Sequence, residues 1–199
     1  MDLVARVQGL ILKPKEEWVK IKGEDTPPTK LMMTYAAILA LIPAIAQFIG
    51  QGLIGYRYFG IVARRSIAGA LIYAILYYLF MLAMIYGFGL IINALAPNFG
   101  SKQNLQKAMQ LSVYSMTVPL VAGIFYILPS LGVLASLAGL YGLYVLYLGF
   151  NTPMMETPKD KVISYIVVCM VAVVVLFVVV TVLMGIFFVS GSVASFGIH

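Results

Sequence analysis

The sequence predicts an all-α membrane protein: a bundle of five transmembrane helices preceded by short amphipathic interfacial helices. Its composition is the first reason, since 62% of the 199 residues are hydrophobic and only 10% are charged. Soluble domains are about 45–50% apolar and about 25% charged. The second reason is that charged residues are absent from four long runs of the chain. Each run is long enough for one or two helices of about 20 residues, the length that crosses roughly 30 Å of hydrocarbon.

The uncharged runs locate the five spans, because an Asp, Lys or Arg at mid-bilayer costs about 2.5–3.5 kcal/mol on insertion scales. The third run holds 48 residues, enough for two helices, and Pro129 with Ser130 marks a turn between them. The predicted spans are 31–54, 66–95, 108–128, 131–150 and 162–189. The fifth carries twelve valines, yet it must be helical because an open strand leaves backbone groups unpaired in hydrocarbon. It has few small or polar residues, so we expect it to be the most lipid-exposed helix.

Residues 1–30 are predicted to be a cytoplasmic segment of amphipathic helices and a linker, ahead of a transmembrane domain at 31–199. The first helix places these apolar residues on one face: Leu3, Val4, Val7, Leu10 and Ile11. After Pro14, Trp18 and Ile21 lie three residues apart among charged side chains. We interpret these elements as helices lying in the headgroup region. Docking of the segment against the bundle is the alternative.

The distribution of Lys and Arg predicts the orientation, because these residues concentrate on the cytoplasmic side of membranes. Ten of the 13 lie in the amino-terminal segment and in the loops 96–107 and 151–161. The other three, Arg57, Arg64 and Arg65, fall on the opposite face. We therefore expect a multi-pass protein of the cell (inner) membrane with a cytoplasmic N-terminus and an outward C-terminus. The net charge of +6 then reflects orientation and attraction to anionic lipid headgroups rather than nucleic-acid binding.

The sequence offers few residues for catalysis or metal binding. It has one cysteine, Cys169, and one histidine, His199, so Cys–His and Ser–His–Asp arrangements lack the residues they need. The predicted spans contain no Asp, Glu, Lys, Arg or His, the residues that mark proton relays and ion pathways in membranes. We expect a protein without enzymatic activity, cofactor or bound metal.

Small and polar residues inside the spans allow two interpretations. In the first span they recur at helical intervals: Ala36, Ala40, Ala44, Gln47 and Gln51. In the fourth span the small residues are Ala135, Ala138, Gly139 and Gly142. Such stripes let membrane helices pack closely, and we expect packing to be their role. The alternative is a small solute or ion transporter or channel, whose polar path would use amide side chains and proline-broken helices. Those residues are Gln47, Gln51, Asn93 and Gln110, with Pro43, Pro119 and Pro129.

The chain has 13 tyrosines, and Tyr77 and Tyr78 fall in the middle of the second span. Tyrosines near span ends anchor helices at the headgroups. For those in mid-span we expect hydrogen bonds from the hydroxyl to carbonyls of neighbouring helices, with a tyrosine-lined cavity as the alternative.

The order of motifs between residues 99 and 161 resembles that of one membrane-protein family. The motifs are Phe99-Gly100, Ala108, Leu111, Tyr114-Ser115, Pro119, Pro129, the run 140–150 and Pro158-Lys159-Asp160-Lys161. Upstream, Pro14 and Trp18 are similar to the Pro-x-x-x-Trp opening of prokaryotic members. The chain resembles the Yip family of Ypt-interacting membrane proteins, in its prokaryotic type.

The resemblance implies five transmembrane helices with a cytoplasmic N-terminus, which agrees with the charge pattern. Eukaryotic members are associated with Rab-type GTPases and transport-vesicle membranes. Where those relatives have Asp-Leu-Tyr-Gly-Pro, this sequence follows Asp2-Leu3 with Val4-Ala5, so we do not carry GTPase binding over to it. The family-motif and packing candidates are Pro14, Trp18, Gln47, Tyr114, Pro119, Pro129, Tyr141, Tyr147 and Gly149.

Together these observations predict a membrane-organising or protein- and lipid-interaction protein without catalytic activity, with transport as the alternative. The expected partners are membrane lipids. Other membrane proteins and further copies of the chain are both left open as partners, and no nucleic acid is expected.

Overall fold

The computed structural model describes residues 2–58 and 61–195, and these residues form a helical bundle. Five of their helical segments are long and apolar enough to cross a membrane: Pro28–Ile54, Ile67–Phe99, Leu105–Ile127, Gly132–Asn151 and Lys159–Val179. Each overlaps one predicted span, so the prediction of an all-α, five-span fold is confirmed. The last residue, His199, and with it the predicted position of the C-terminus, lies outside the described residues.

Two short helices precede the bundle, as the sequence predicts. Helix α1 (Leu3–Leu12) begins at Asp2, whose Oδ1 accepts hydrogen bonds from the backbone N–H groups of Val4 and Ala5. Helix α2 (Pro14–Lys22) begins at a proline, which suits a first turn because the N–H it lacks would have no helical partner there. The two helices form an antiparallel hairpin.

This hairpin docks on the transmembrane helices. Leu10, Trp18 and Ile21 are fully buried, with α1 and α2 packed against the third and fourth spans. The apolar face therefore rests on protein rather than on lipid headgroups, which corrects the preferred interpretation and favours the docking alternative. The reason is that the bundle supplies both close packing and hydrogen-bond acceptors. On the side of the hairpin that faces away from the bundle, Leu12 and Val19 are 75% and 66% exposed. Contact with lipid headgroups stays a prediction for this side only.

The first span alternates between α-helix and π-helix without a break. Helix α3 (Pro28–Leu31) leads through a π-helical segment (Met32–Ala36) into α4 (Ala37–Phe48). A second π-helical segment (Ile49–Ile54) completes the span. Proline at position 43 lies inside α4, which continues past it, as membrane helices commonly allow.

A small β-hairpin follows the first span, an element that the sequence analysis did not predict. Strands β1 (Tyr56–Tyr58) and β2 (Ile61–Ala63) pair antiparallel. Aromatic and β-branched residues favour strands, and three residues per strand leave the helical class of the bundle unchanged. Helix α5 (Ile67–Leu95) and a 3-10 turn (Ala96–Phe99) then form the second span.

The third and fourth spans form the helical hairpin that the sequence predicts. Helices α6 (Leu105–Ser115) and α7 (Thr117–Ala122) and a 3-10 segment (Gly123–Ile127) make up the third span. A 3-10 turn at Pro129–Leu131 leads into α8 (Gly132–Asn151), which is the fourth.

Prolines shape this second half of the bundle unequally. The break between α6 and α7 falls at Met116. In a continuous helix the N–H of residue 119 would donate to the Ser115 carbonyl, and proline has no N–H to donate. Pro129 stands at the start of the turn between the two spans. Of the three prolines considered as helix breakers, these two therefore interrupt helices and Pro43 does not.

Helix α9 (Val162–Ser195) forms the fifth span, after a 3-10 turn (Lys159–Lys161). In its most apolar window only 17% of the residues are buried, against 22–61% in the other four spans. This confirms, for the described residues, that the fifth span has the most lipid-facing surface.

Small residues in the first span lie at helix contacts, as expected. Ala36 and Ala40 are fully buried and Ala44 is 5% exposed. A Cβ added to Gly123, in the third span, would lie 2.5 Å from the Cβ of Pro43 in the first. Only a glycine permits that approach, because real Cβ atoms do not come so close.

The fourth span uses only part of its predicted small-residue stripe. A Cβ added to Gly142 would lie 2.8 Å from the Cγ of Pro119, so these helices touch there. A Cβ added to Gly139 would meet nothing within 4 Å. The expectation of a tight contact at Gly139 is therefore wrong, because its Cβ position faces open space rather than a neighbouring helix.

Candidate functional site

The described residue network with the most buried charge lies beneath the docked hairpin. Helices α1 and α2 pair closely, since a Cβ added to Gly9 would lie 2.6 Å from the Cδ of Glu17. This approach sets Glu17 beside Arg6 on the face that meets the bundle. The Arg6 and Glu17 residues are each only 6% exposed.

Arg6 is held by two carboxylates. Its Nη1 lies 2.7 Å from the Oε1 of Glu17, and its Nη2 donates a hydrogen bond to the Oε1 of Glu24. Glu17 also pairs through Oε2 with the Nζ of Lys20 at 2.8 Å. The guanidinium lies 5.4 Å from the ring centre of Tyr114 in the third span. Charge-assisted hydrogen bonds of this kind are about twice as strong as neutral ones, so they hold α1, α2 and the linker together, and the contact between Arg6 and the Tyr114 ring connects this group to the third span.

Trp18 connects the same hairpin to the fourth span. Its indole Nε1 donates a hydrogen bond of 2.9 Å to the Val145 carbonyl, and its ring meets Tyr114 edge-on at 6.2 Å between centres. The ring fits because residue 149 is glycine: a Cβ there would lie 2.7 Å from the Cζ2 of Trp18 and 2.6 Å from a methyl carbon of Leu111.

Tyr114 extends the network into the first span. Its ring packs edge-on against Tyr35 with 5.0 Å between centres, and the Tyr35 hydroxyl shares a 2.8 Å hydrogen bond with the Thr117 hydroxyl. Tyr35, Tyr114 and Thr117 are fully buried. The three spans and the hairpin therefore meet in one buried aromatic and polar cluster.

The beginning of the third span binds the linker after α2 through hydrogen bonds. The Nζ of Lys107 donates hydrogen bonds of 2.8 Å to the carbonyls of Lys22 and Glu24. The Nε2 of Gln110 donates a third, of 2.9 Å, to the Glu24 carbonyl. Gln110, which the sequence analysis considered for a transport path, here holds the linker instead. A cavity of about 320 Å³ lies beside these hydrogen bonds and is lined by residues from Glu24 to Thr34.

The structure brings together some of the candidates named from the sequence and separates others. Trp18, Tyr114 and Gly149 are in direct contact in the cluster. Pro14 is buried at the start of α2. The Tyr141 hydroxyl donates a hydrogen bond of 2.8 Å to the Ile11 carbonyl, near the hairpin turn.

Four candidates lie elsewhere. Gln47 accepts a 2.6 Å hydrogen bond from Gln51 in its own span. Pro119 contacts Gly142, and Pro129 stands in the turn between spans. Tyr147 is 40% exposed on α8.

Sequence reasoning missed Arg6 and Glu17, which it counted only as charges outside the spans. A usable signal was present. Arg6 falls four residues before Leu10, and Glu17 falls next to Trp18 and four residues before Ile21, so both charges share the helix faces of buried apolar residues.

A family model, the Yip1 domain, matches residues 9–194. The chain belongs to the Yip1 domain family. The match runs from within α1 to within α9, so it includes Glu17, Trp18 and the five spans. It confirms the resemblance to the Yip family, and the prokaryotic type stays a prediction. No curated protein and no solved structure matches this chain.

In this Yip1-domain chain the cluster joins elements rather than presenting reactive groups. Its carboxylates are engaged by Arg6 and Lys20, its indole by a carbonyl, and the Nε2 of Gln110 by the linker. The Oε1 of Gln110 and the Nε of Arg6 are buried without a hydrogen-bond partner among the described residues. Within the described ranges, no group of three or more His, Cys, Asp or Glu side chains is placed to hold a metal ion. The arrangement can fix the amino-terminal hairpin in one position on a multi-pass membrane bundle.

Proposed function

We propose that this Yip1-domain protein is a membrane-organising protein that acts by contacting lipids and other membrane proteins, without catalysis and without moving a solute. The observation that carries the proposal is that its intramembrane amide groups form hydrogen bonds within the protein. Gln47 and Gln51 bond to each other, and Gln110 bonds to the linker. The first two amides are thus paired within one helix and the third holds the linker, whereas a polar path needs amides that face the solute.

Two tyrosines and one serine of the spans bond to neighbouring helices. The hydroxyls of Tyr78 and Tyr165 donate to the carbonyls of Ala37 and Ile92 in neighbouring helices. The Ser112 hydroxyl donates a hydrogen bond of 2.6 Å to the Ile85 carbonyl in the second span. Interhelical hydrogen bonds of this type are worth about 0.6 kcal/mol on average in membranes. They support a bundle built for stable packing, which suits a scaffold for other membrane components.

The cavities between the spans also favour this function over transport. One, of about 230 Å³ between α4 and α5, is lined by Leu41, Phe48 and Leu71 among other apolar residues, with the edge of Tyr78. A path for ions or polar solutes needs lining groups that replace their hydration. Apolar walls do not provide such groups.

Solute flux is the direct test of this function. In proteoliposomes, we expect the purified protein to pass K⁺, Na⁺, protons and small polar solutes no faster than protein-free vesicles do. Parallel vesicles containing a pore-forming peptide verify that flux is detectable. Reproducible flux that disappears in Gln47→Leu, with the unfolding midpoint of that variant unchanged, would show that the protein is a channel or carrier instead.

A second prediction concerns orientation, which we propose to be N-terminus in the cytoplasm and C-terminus outside. In a Cys169→Ala background, Ser130→Cys should react with a membrane-impermeant maleimide in intact cells. Lys102→Cys, in the loop before α6, should react only after permeabilisation. Both positions are exposed, so reagent access is limited by the membrane alone. Labelling in the reverse order would invert the proposed topology.

A further inference from the structure

We propose that a crevice among the second to fifth spans binds an acyl chain of a bilayer lipid. The crevice consists of two adjoining cavities of about 300 and 120 Å³. Both are bordered by Phe88 of α5, Met116 at the break in the third span and Met170 of α9. The inference deepens the proposed function, on which it rests, by naming the part of a lipid that the protein contacts.

The crevice lies at the depth of the hydrocarbon. Met170 comes eight residues after the first residue of α9 and Leu143 comes eight residues before the end of α8. At 1.5 Å per residue each is about 12 Å from that helix end. Because the hydrocarbon is roughly 30 Å thick, the medium outside the crevice at this depth is acyl chain.

The crevice opens sideways toward lipid. Gly139 of α8 lines the larger cavity, and a Cβ added there would meet nothing within 4 Å. Leu140 both lines the larger cavity and is 64% exposed. The wall is therefore continuous with the lipid-facing surface of α8.

The walls suit hydrocarbon rather than a headgroup. The two serine hydroxyls that line the larger cavity are engaged within their own span: Ser115 donates to the Ser112 carbonyl and Ser136 to the Gly132 carbonyl. Met81, Met84, Met116 and Met170 line the smaller cavity. Methionine side chains are flexible and polarizable, so they adapt to irregular apolar guests.

Size favours a single acyl chain over a helix from a second copy. An α-helix with its side chains is about 10–12 Å wide, too wide to enter cavities of this volume. An extended hydrocarbon chain is much narrower. Filling the space restores dispersion contacts that the lining atoms lack when nothing faces them.

The test uses the full-length protein in phosphatidylcholine vesicles that contain a phospholipid with a photoreactive diazirine in mid-chain. After irradiation, mass spectrometry of the digested protein maps the adducts. We expect adducts at Met116 and Met170, beside those at Val174, which is 56% exposed to the surrounding lipid. In Gly139→Leu, whose new side chain enters the larger cavity, the adducts at Met116 and Met170 should fall severalfold while those at Val174 persist.

Leu137→Phe is the matched control, because Leu137 is 55% exposed on the same helix and faces outward; it should leave all adducts unchanged. If Gly139→Leu does not fold, Met170→Phe narrows the crevice from α9 and should lower the adducts at Met116 while those at Val174 persist. Adducts confined to Val174 in the wild type, or equal adducts in the filled and unfilled proteins, would overturn the acyl-chain site. Protein–protein cross-links at Met116 would do the same in favour of a second copy. Solute flux in proteoliposomes would overturn the proposed function, whereas the adduct pattern alone decides whether the crevice binds an acyl chain.

Discussion

Arg6→Met is expected to lower the free energy of unfolding by about 3–5 kcal/mol, the usual result of removing one partner from a buried ion pair. The variant leaves the Glu17 carboxylate in the contact between hairpin and bundle without its guanidinium. Lys20, whose side chain is 66% exposed, remains near it but in a solvated position. Unfolding in detergent can be followed with a thiol-reactive fluorophore, since Cys169 is fully buried in the folded protein.

The double variant Arg6→Met/Glu17→Leu is the control. Replacing both members of a buried pair by apolar residues of similar size is often neutral or stabilising. We therefore expect it to recover most of the stability that the single variant loses. If the double variant is as unstable as Arg6→Met, the pair with Glu17 is not what holds the hairpin, and the contacts of Arg6 with Glu24 and the Tyr114 ring would be the explanation.

Gly149→Ala is expected to destabilise the protein by about 1–3 kcal/mol, because it overpacks a filled contact. The added methyl group meets the Trp18 ring and Leu111 at 2.6–2.8 Å. Displacing the ring weakens its hydrogen bond to the Val145 carbonyl. Trp18 is the one tryptophan of the chain, so its fluorescence reports this site, and we expect emission to shift to longer wavelength in the variant.

Gly139→Ala is the matched comparison on the same helix. Its Cβ meets nothing within 4 Å, and alanine is favoured over glycine inside a helix by about 0.5–1 kcal/mol. It should leave Trp18 emission unchanged and the unfolding midpoint equal or higher. Equal losses of stability at positions 139 and 149 would contradict the contact geometry described for α8.

The docked hairpin gives the amino-terminal residues a structural role in the bundle. Trp18 reaches the fourth span, Tyr114 and Tyr35 carry the contact into the third and first, and Lys107 closes over the linker. A change at the hairpin is therefore coupled by direct contact to three spans.

The sequence by itself determined the class of the protein, its five spans and their approximate ends. These follow from local properties: the cost of a charge in hydrocarbon, the length of helix that crosses it, and the turn signal at Pro129. The short helices before residue 23 and their division at Pro14 were also predictable, because spacing and proline act within a few residues. The family resemblance rested on motif order along the chain, and a match over residues 9–194 supports it.

Only the tertiary structure decided what each face touches. Gly139, Gly142 and Gly149 look alike in the sequence, yet the first borders a crevice, the second meets Pro119 and the third receives Trp18. Likewise, Arg6 and Glu17 are charged residues outside the spans, and they are buried because the hairpin folds back onto the bundle. Helix rotation, the angle between neighbours and the docking of a distant segment depend on contacts between residues far apart in the chain, which no local pattern specifies.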